Sequence, residues 1–205
     1  MVKELGIWEI AVLSLLREAP MHPYQMQRLL HDRHKDEMLA LKRGSLYHAI
    51  GRLVRDELIA ASATGREGRR PERTTYRITP DGRKEFTRTL RQMVARPRRE
   101  SSEFMAAMSF LVHLSSSDAL ANLEQRCQTL EQEIAECRIG MAAAAHHVLR
   151  INLIETEYLI AVLNAELAWS RNLAVDIRAG KLDWNTQSIF RDVRAERRAA
   201  GRGKE

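Results

Sequence analysis

Apolar positions recur at helical spacing from residue 5 onward, and their spacing divides the chain into segments. Residues 5–17, LGIWEIAVLSLLR, are apolar on most faces and predict a buried first helix that stops before Pro20. His22-Pro23 opens a second helix with Pro23 at its first position, where a missing N–H is no loss. Residues 31–38, HDRHKDEM, predict a polar turn with His31 and His34 solvated. Residues 43–59, RGSLYHAIGRLVRDELI, then sort onto two faces of a third helix that starts at Gly44-Ser45. Leu46, Ala49, Ile50 and Leu53 form an apolar stripe at i, i+3, i+4 and i+7. Ser45, His48, Arg52 and Arg55 lie on the other side, with no acidic residue among them. Gly51 beside them costs about 1 kcal/mol of helix stability and lets a neighbour approach the backbone closely.

Two short runs, AASAT and TTYRIT, bracket GREGRRPER at 65–73 and predict a β-hairpin with a long tip. Thr79-Pro80 supplies the N-cap and first residue of a fourth helix that reaches Ala95 and ends at Pro97. Ser102 caps a short helix to His113, and Ser117 caps the next one. From there Leu120, Leu123, Cys127, Leu130, Ile134, Cys137, Met141, Ala144, Val148 and Ile151 alternate by three and four. A seam of that length marks an exposed helix in need of a partner helix. A turn near 145–151 leads to a last long helix over about 151–179, with Ile154, Tyr158, Val162, Ala165, Trp169 and Leu173 on one face. Gly180 serves as its C-cap. A short helix over 184–198 and a disordered end follow.

The expected fold is therefore mainly α with a small two-stranded wing. Residues 1–96 would be a winged helix-turn-helix, 97–101 a linker, 102–180 a helical, coiled-coil-like dimerisation domain, and 181–205 a short helix and tail. In a winged helix-turn-helix the second helix of the motif enters the major groove, and the wing reaches phosphate or minor groove.

Charge adds to that picture. Of the net +6 over 205 residues, residues 1–100 carry 21 Lys and Arg against 13 Asp and Glu, a net +8. The remainder carries 12 against 14, a net −2. A basic half joined to a slightly acidic half is what a separate nucleic-acid module predicts. The hairpin tip concentrates the effect, with Arg66, Arg69, Arg70 and Arg73 against Glu67 and Glu72. Adjacent arginines repel unless something anionic sits between them. Hydrophobic content of 44% is that of a globular protein. No apolar run approaches the roughly 18 residues of a membrane span, and a cytoplasmic location is expected.

Four stretches resemble the PadR family of bacterial transcriptional regulators: MHPYQM at 21–26, GSLYHAIGRL at 44–53, DELI at 56–59 and RTTYRITPDGRKEF at 73–86. Many relatives carry Gly where this chain has Pro23. ELAW at 166–169 extends the resemblance into the C-terminal half, so that it covers about 4–184. It implies a homodimeric, ligand-responsive repressor that binds a (pseudo)palindromic operator. On this reading Ser45, His48 and Arg52 read or approach base edges, while Lys42, Arg43 and Tyr47 hold flanking phosphates. Arg66, Arg69, Arg70 and Arg73 add phosphate or minor-groove contacts. Tyr24, on the first turn of the second helix, either packs in the core or holds phosphate with the helix N–H groups. Leu120, Leu123, Cys127, Leu130, Ile134, Cys137, Met141 and Val148 carry the dimer seam. Relatives often bind planar or aromatic effectors between the dimerisation helices and the DNA-binding domain. Trp169, Tyr158, Met105 and Met108 are the candidate lining of such a pocket, and are otherwise core or interface residues.

Other chemistry finds little support in the residues. Cys127 and Cys137 stand about 15 Å apart on one helix and cannot bond to each other. They are small hydrophobes of the seam, or an intersubunit disulfide or redox sensor. His113, Cys137, His146 and His147 lack any metal-ligand spacing. No nucleophile elbow, phosphate-binding glycine loop or paired-carboxylate motif is present. No cofactor and no catalysis are expected. Two rival readings remain: a helical scaffold whose winged domain binds an acidic protein, and an enzyme using the aromatic pocket.

Overall fold

Four residues of one helix organise the N-terminal half. The computed structural model describes residues 5–39, 41, 44–65, 73–97 and 102–191, with the backbone alone at 37, 63–65 and 73. The chain forms two compact units, Met1–Arg99 and Glu100–Glu205.

In the first unit, α1 (Ile7–Glu18), α2 (Pro23–Asp32), α3 (Lys35–Met38) and α4 (Ser45–Arg55) precede a hairpin of β1 (Ile59–Gly65) and β2 (Arg73–Ile78), which α5 (Pro80–Ala95) follows. Leu46, Ala49, Ile50 and Leu53 of α4 are all buried, as their spacing predicts. Leu46, Ile50 and Leu53 share one core with Val12, Leu13, Leu16, Met26, Ile59 and Phe86. Glu57 takes a left-handed φ of 56° at the end of α4. This turns the chain so that the Leu58 N–H donates to Leu53 O at 2.9 Å. The strands are antiparallel, from Ile59 opposite Ile78 to Gly65 opposite Arg73, with a bulge between Ala61 and Ala63. Thr79 caps α5 as expected, its Oγ1 accepting from the Gly82 N–H at 3.0 Å. Gly82 is required there, because a Cβ would lie 2.1 Å from the Leu58 carbonyl oxygen.

The segment 31–38 is more ordered than a polar turn. Helix α2 runs on to Asp32, His34 reverses the chain at φ 54°, and α3 adds one turn. His31 Nδ1 lies 3.1 Å from Asp36 Oδ2, so this histidine has a carboxylate partner as well as solvent. Arg33 donates from both terminal nitrogens to Glu18, at 2.6 and 2.8 Å, tying the end of α2 to that of α1. That pairing holds the Glu18 carboxyl below its ordinary pKa.

The second unit is a helical hairpin. Helix α6 (Glu103–Ser109) and a 3₁₀ turn (Leu111–His113) lead to α7 (Ser116–Ala144), which a 3₁₀ turn (Arg150–Asn152) joins to α8 (Ile154–Arg178). Ser102 caps α6 through the Met105 N–H. The cap of α7 is Ser115 rather than Ser117: Ser115 Oγ accepts from the Asp118 N–H at 3.1 Å, and Ser117 already sits in the first turn. Gly180, at φ 68°, follows α8 in the expected left-handed conformation. Residues 186–191 are helical, while 192–205 lie outside the described residues. Trp184 stands before that helix and donates from Nε1 to Leu114 O at 2.8 Å.

The heptad seam of α7 has its partner in the same chain. Cys127, Leu130 and Ile134 are buried against Leu163 and Leu167 of α8, and Leu123 against Ala174 and Ile177. Leu120 packs beside the second of these clusters. Cys137, Met141 and Val148 are half-buried towards the turn. Ion pairs flank the seam, Arg126 to Glu166, Arg171 to Glu131 and Arg178 to Glu124. The physical reason is proximity. A helix joined to α7 by a short turn fills its groove before a second chain can. Burial also pushes the Cys127 and Cys137 thiols up, which keeps them protonated.

Replacing Leu130 and Ile134 together by Asp should therefore disrupt the hairpin rather than yield folded monomers. The expected cost is more than about 4 kcal/mol, with loss of helical circular dichroism, because two charges enter an apolar seam whose flanking arginines already pair with Glu166, Glu131 and Glu124.

Candidate nucleic-acid interface

With its apolar stripe buried, α4 turns the opposite side outward, and that side has two halves of different chemistry. Ser45, His48, Arg52 and Arg55 form a polar half, as the sequence predicts. Tyr47, Gly51 and Val54 form a second, apolar half, with Tyr47 62% and Val54 43% exposed. A groove of about 390 Å³ runs along this second half, closed by Pro23 at the start of α2 and by Thr74 and Tyr76 of β2.

The polar half is not uniformly available. Arg52 is half-buried, and its Nε–H donates to Oε1 of Glu9 on α1, a carboxylate only 6% exposed. The expectation that no acidic residue neutralises Arg52 holds for α4 alone. Helix α1 supplies the carboxylate from 43 residues away in sequence. Gly6 belongs to this arrangement, since a Cβ there would lie 2.7 Å from Glu9 Oε2. His48 is exposed, and so is Arg55, whose Nε–H donates to Asp56 Oδ1 at 2.9 Å. The Asp56 carboxylate raises the already high pKa of Arg55, so its guanidinium stays cationic. Ser45 stands half-buried on the first turn.

The start of α2 is already closed. His22 Nδ1 accepts from the Tyr24 N–H at 3.1 Å, and Gln25 Oε1 accepts from the His22 N–H at 3.0 Å. Pro23 has no N–H, and the Gln25 N–H donates to His22 O at 2.9 Å. This capping box uses the first-turn donors that the sequence assigned to a phosphate. Tyr24 itself is 65% exposed, which removes the core-packing alternative. Gly51 differs from expectation too: among the described residues nothing lies within 4 Å of a Cβ built on it. Lys42, Arg43, Arg66, Arg69 and Arg70 lie outside the described residues, and of Arg73 the backbone alone is described.

The candidate effector residues do not form one site. Trp169 meets Phe104 edge-on, with ring centroids 5.8 Å apart, and the Arg126 guanidinium lies 3.8 Å from the Phe104 centroid. Met105 is exposed and Met108 half-buried on the same α6. Tyr158 is 72% exposed three turns before Trp169, about 16 Å away along α8. Phe104 and Arg126 were not foreseen, and Glu9 was missed although a lone carboxylate in IWEIAVLSLL signals a buried partner. Among the described residues, no group of His, Cys, Asp or Glu could hold a metal ion, and no helix is long and apolar enough to cross a membrane.

Residues 12–88 match the transcriptional regulator PadR-like family. No curated protein matches the sequence. Among solved structures the chain is similar to Bacillus subtilis PadR in complex with operator DNA, with TM-score 0.67, 17% identity, and 84% of this chain and 99% of that one covered. The same Bacillus subtilis protein in complex with p-coumaric acid gives TM-score 0.67, 15% identity, and 84% and 99% coverage. The Vibrio cholerae virulence activator AphA gives TM-score 0.63, 15% identity, and 84% and 98% coverage. At these identities the likeness is one of fold.

The Glu9–Arg52 pair should register in stability. Glu9→Ala should cost about 1 kcal/mol in chemical denaturation, held down by the partial exposure of Arg52. Glu9→Gln, which keeps an acceptor oxygen, should cost less.

Proposed function

We propose that the chain, whose residues 12–88 match the PadR-like family of transcriptional regulators, is a homodimeric, effector-responsive repressor of (pseudo)palindromic operator DNA. One observation carries the DNA-binding part: α4 is anchored by four buried residues while its outer side, with His48, Arg55 and Tyr47, stands open. A helix held rigidly by one face can present the other to the major groove. His48 and Arg55 lie centrally on that side, so they take the leading role in base and phosphate contact. Arg52 contributes through whatever part of its guanidinium Glu9 leaves free, and Ser45 flanks it. Lys42, Arg43 and Tyr47 remain the candidates for flanking phosphates, with Tyr24 beside them through its side chain. The arginines of the wing tip keep the role that the sequence gives them.

The dimer is assigned to a different surface from the one the seam predicted. Ile154, Tyr158, Val162, Ala165 and Trp169 recur at steps of three and four along the exposed side of α8. This stripe, about 22 Å long, is apolar and opposite the face that packs on α7. A second copy of the chain is its natural partner, since a two-fold axis lets the stripe pair with itself. Two half-sites on one operator then bind a single dimer, which raises affinity through effective concentration. The effector part is supported by the p-coumaric acid complex of Bacillus subtilis PadR and by the Phe104–Trp169–Arg126 cluster. A planar acid is the ligand class this cluster suits.

Electrophoretic mobility with random duplex DNA tests the reading at its base, because a module that binds only an acidic protein should retard none. Arg55→Ala should reduce the slope of log K against log salt by about 0.9, the value of one phosphate contact. An unchanged slope would take Arg55 off the DNA.

The dimer face has its own test. Tyr158→Asp with Val162→Asp should give monomers by light scattering, with helical content and thermal unfolding close to those of the parent. A persistent dimer would move the interface off α8.

A further inference from the structure

Apart from the Tyr47 hydroxyl, the apolar half of the α4 outer side is not accounted for by phosphate binding. Its groove is lined by Tyr47, Ile50, Gly51 and Val54 of α4, by His22 and Pro23, and by Thr74 and Tyr76 of β2. Among the described residues lining it there is no Lys, Arg, Asp or Glu. A phosphate placed there would meet no Lys or Arg, whereas an apolar group would meet Pro23, Ile50, Val54 and the tyrosine rings. Gly51 sharpens the point. It lies in the middle of a helix, which disfavours glycine, yet the fold does not require it, since a Cβ would find open space. A glycine that the free protein does not need, one turn from His48 and one from Arg55, keeps room for something outside the chain. The only apolar group that base pairs present in the major groove is the 5-methyl of thymine.

We propose that the groove beside Gly51 receives a thymine methyl group, so that Tyr47, Gly51 and Val54 make one position per half-site selective for thymine. The proposal rests on the reading of α4 as the helix that enters the major groove. It divides the labour of α4 between a polar half, which meets hydrogen-bonding edges and phosphates, and an apolar half, which selects a methyl.

The test uses the full chain and the tightest-binding duplex selected from a randomised library. Each thymine is replaced in turn by deoxyuridine, which keeps the base pair and removes the methyl. One position per half-site should then bind about fourfold more weakly, the value of one buried methyl group. Gly51→Ala places a methyl of the protein in the groove. Its affinity for the thymine duplex should fall to that of the deoxyuridine duplex or below, and the ratio between the two should shrink to less than about twofold. The same variant should melt at a higher temperature, because alanine favours the helix and meets nothing in the chain. Val54→Thr, which keeps the shape and adds a hydroxyl, should narrow the ratio as well. If no thymine is sensitive to loss of its methyl in the parent protein, the proposal is overturned. It is overturned equally if Gly51→Ala keeps the full ratio, or if that variant weakens thymine, deoxyuridine and random duplexes alike, which would make the groove a seat for the sugar–phosphate strand. A parent protein that retards no duplex at all removes the DNA-binding reading itself and this proposal with it.

Discussion

Burial of one stripe of α4 is the constraint on which the N-terminal unit depends. Leu46, Ala49, Ile50 and Leu53 leave water together, against α1 and the inner residues of the hairpin. Because an α-helix has rigid geometry, fixing one face fixes the opposite face without further contacts. The outward side therefore needs no partner within the protein to hold its direction. Gly82 and Thr79 extend the same constraint, because α5 can begin only where Leu58 permits a close backbone approach. The hairpin is thus tied at its base.

Charge is managed around this frame rather than through it. The basic groups of α4 do not stand as a free field of cations: Arg52 is held by Glu9 and Arg55 by Asp56. An exposed pair such as Arg55–Asp56 is cheap to exchange for a phosphate, since its net worth in water is small. The Glu9–Arg52 pair is different, because Glu9 is buried and would be left without its cation. The two arginines therefore have unequal freedom to meet an external anion, although they lie one turn apart on one helix.

In the second unit the short turn between α7 and α8 decides which apolar surface is satisfied internally. The hairpin consumes the regular seam of α7 and leaves outside a shorter stripe on α8. Ion pairs on the flanks of the hairpin set its register, and Arg126 also lies over the Phe104 ring. What stays exposed on α8 is an apolar stripe that the hairpin does not cover.

The sequence by itself determined the local elements and most of their ends. Period 3.6 in α4, Thr79 before Pro80, and glycine after Arg178 each act within a few residues, so their physics is visible in the string. The opposition of buried and open sides on α4 was legible for the same reason. Tertiary structure alone decided which groups from distant segments meet. Glu9 reaches Arg52, α8 packs on Cys127, Leu130 and Ile134 of the α7 seam, and Pro23 with Tyr76 closes a groove beside Gly51. Tyr158 and Trp169 share a helix face but not a location along it, so spacing alone does not bring the candidate effector residues together. Periodicity records that a face must be covered, because apolar area must leave water. It does not record by what, because the covering segment is chosen by chain connectivity and packing.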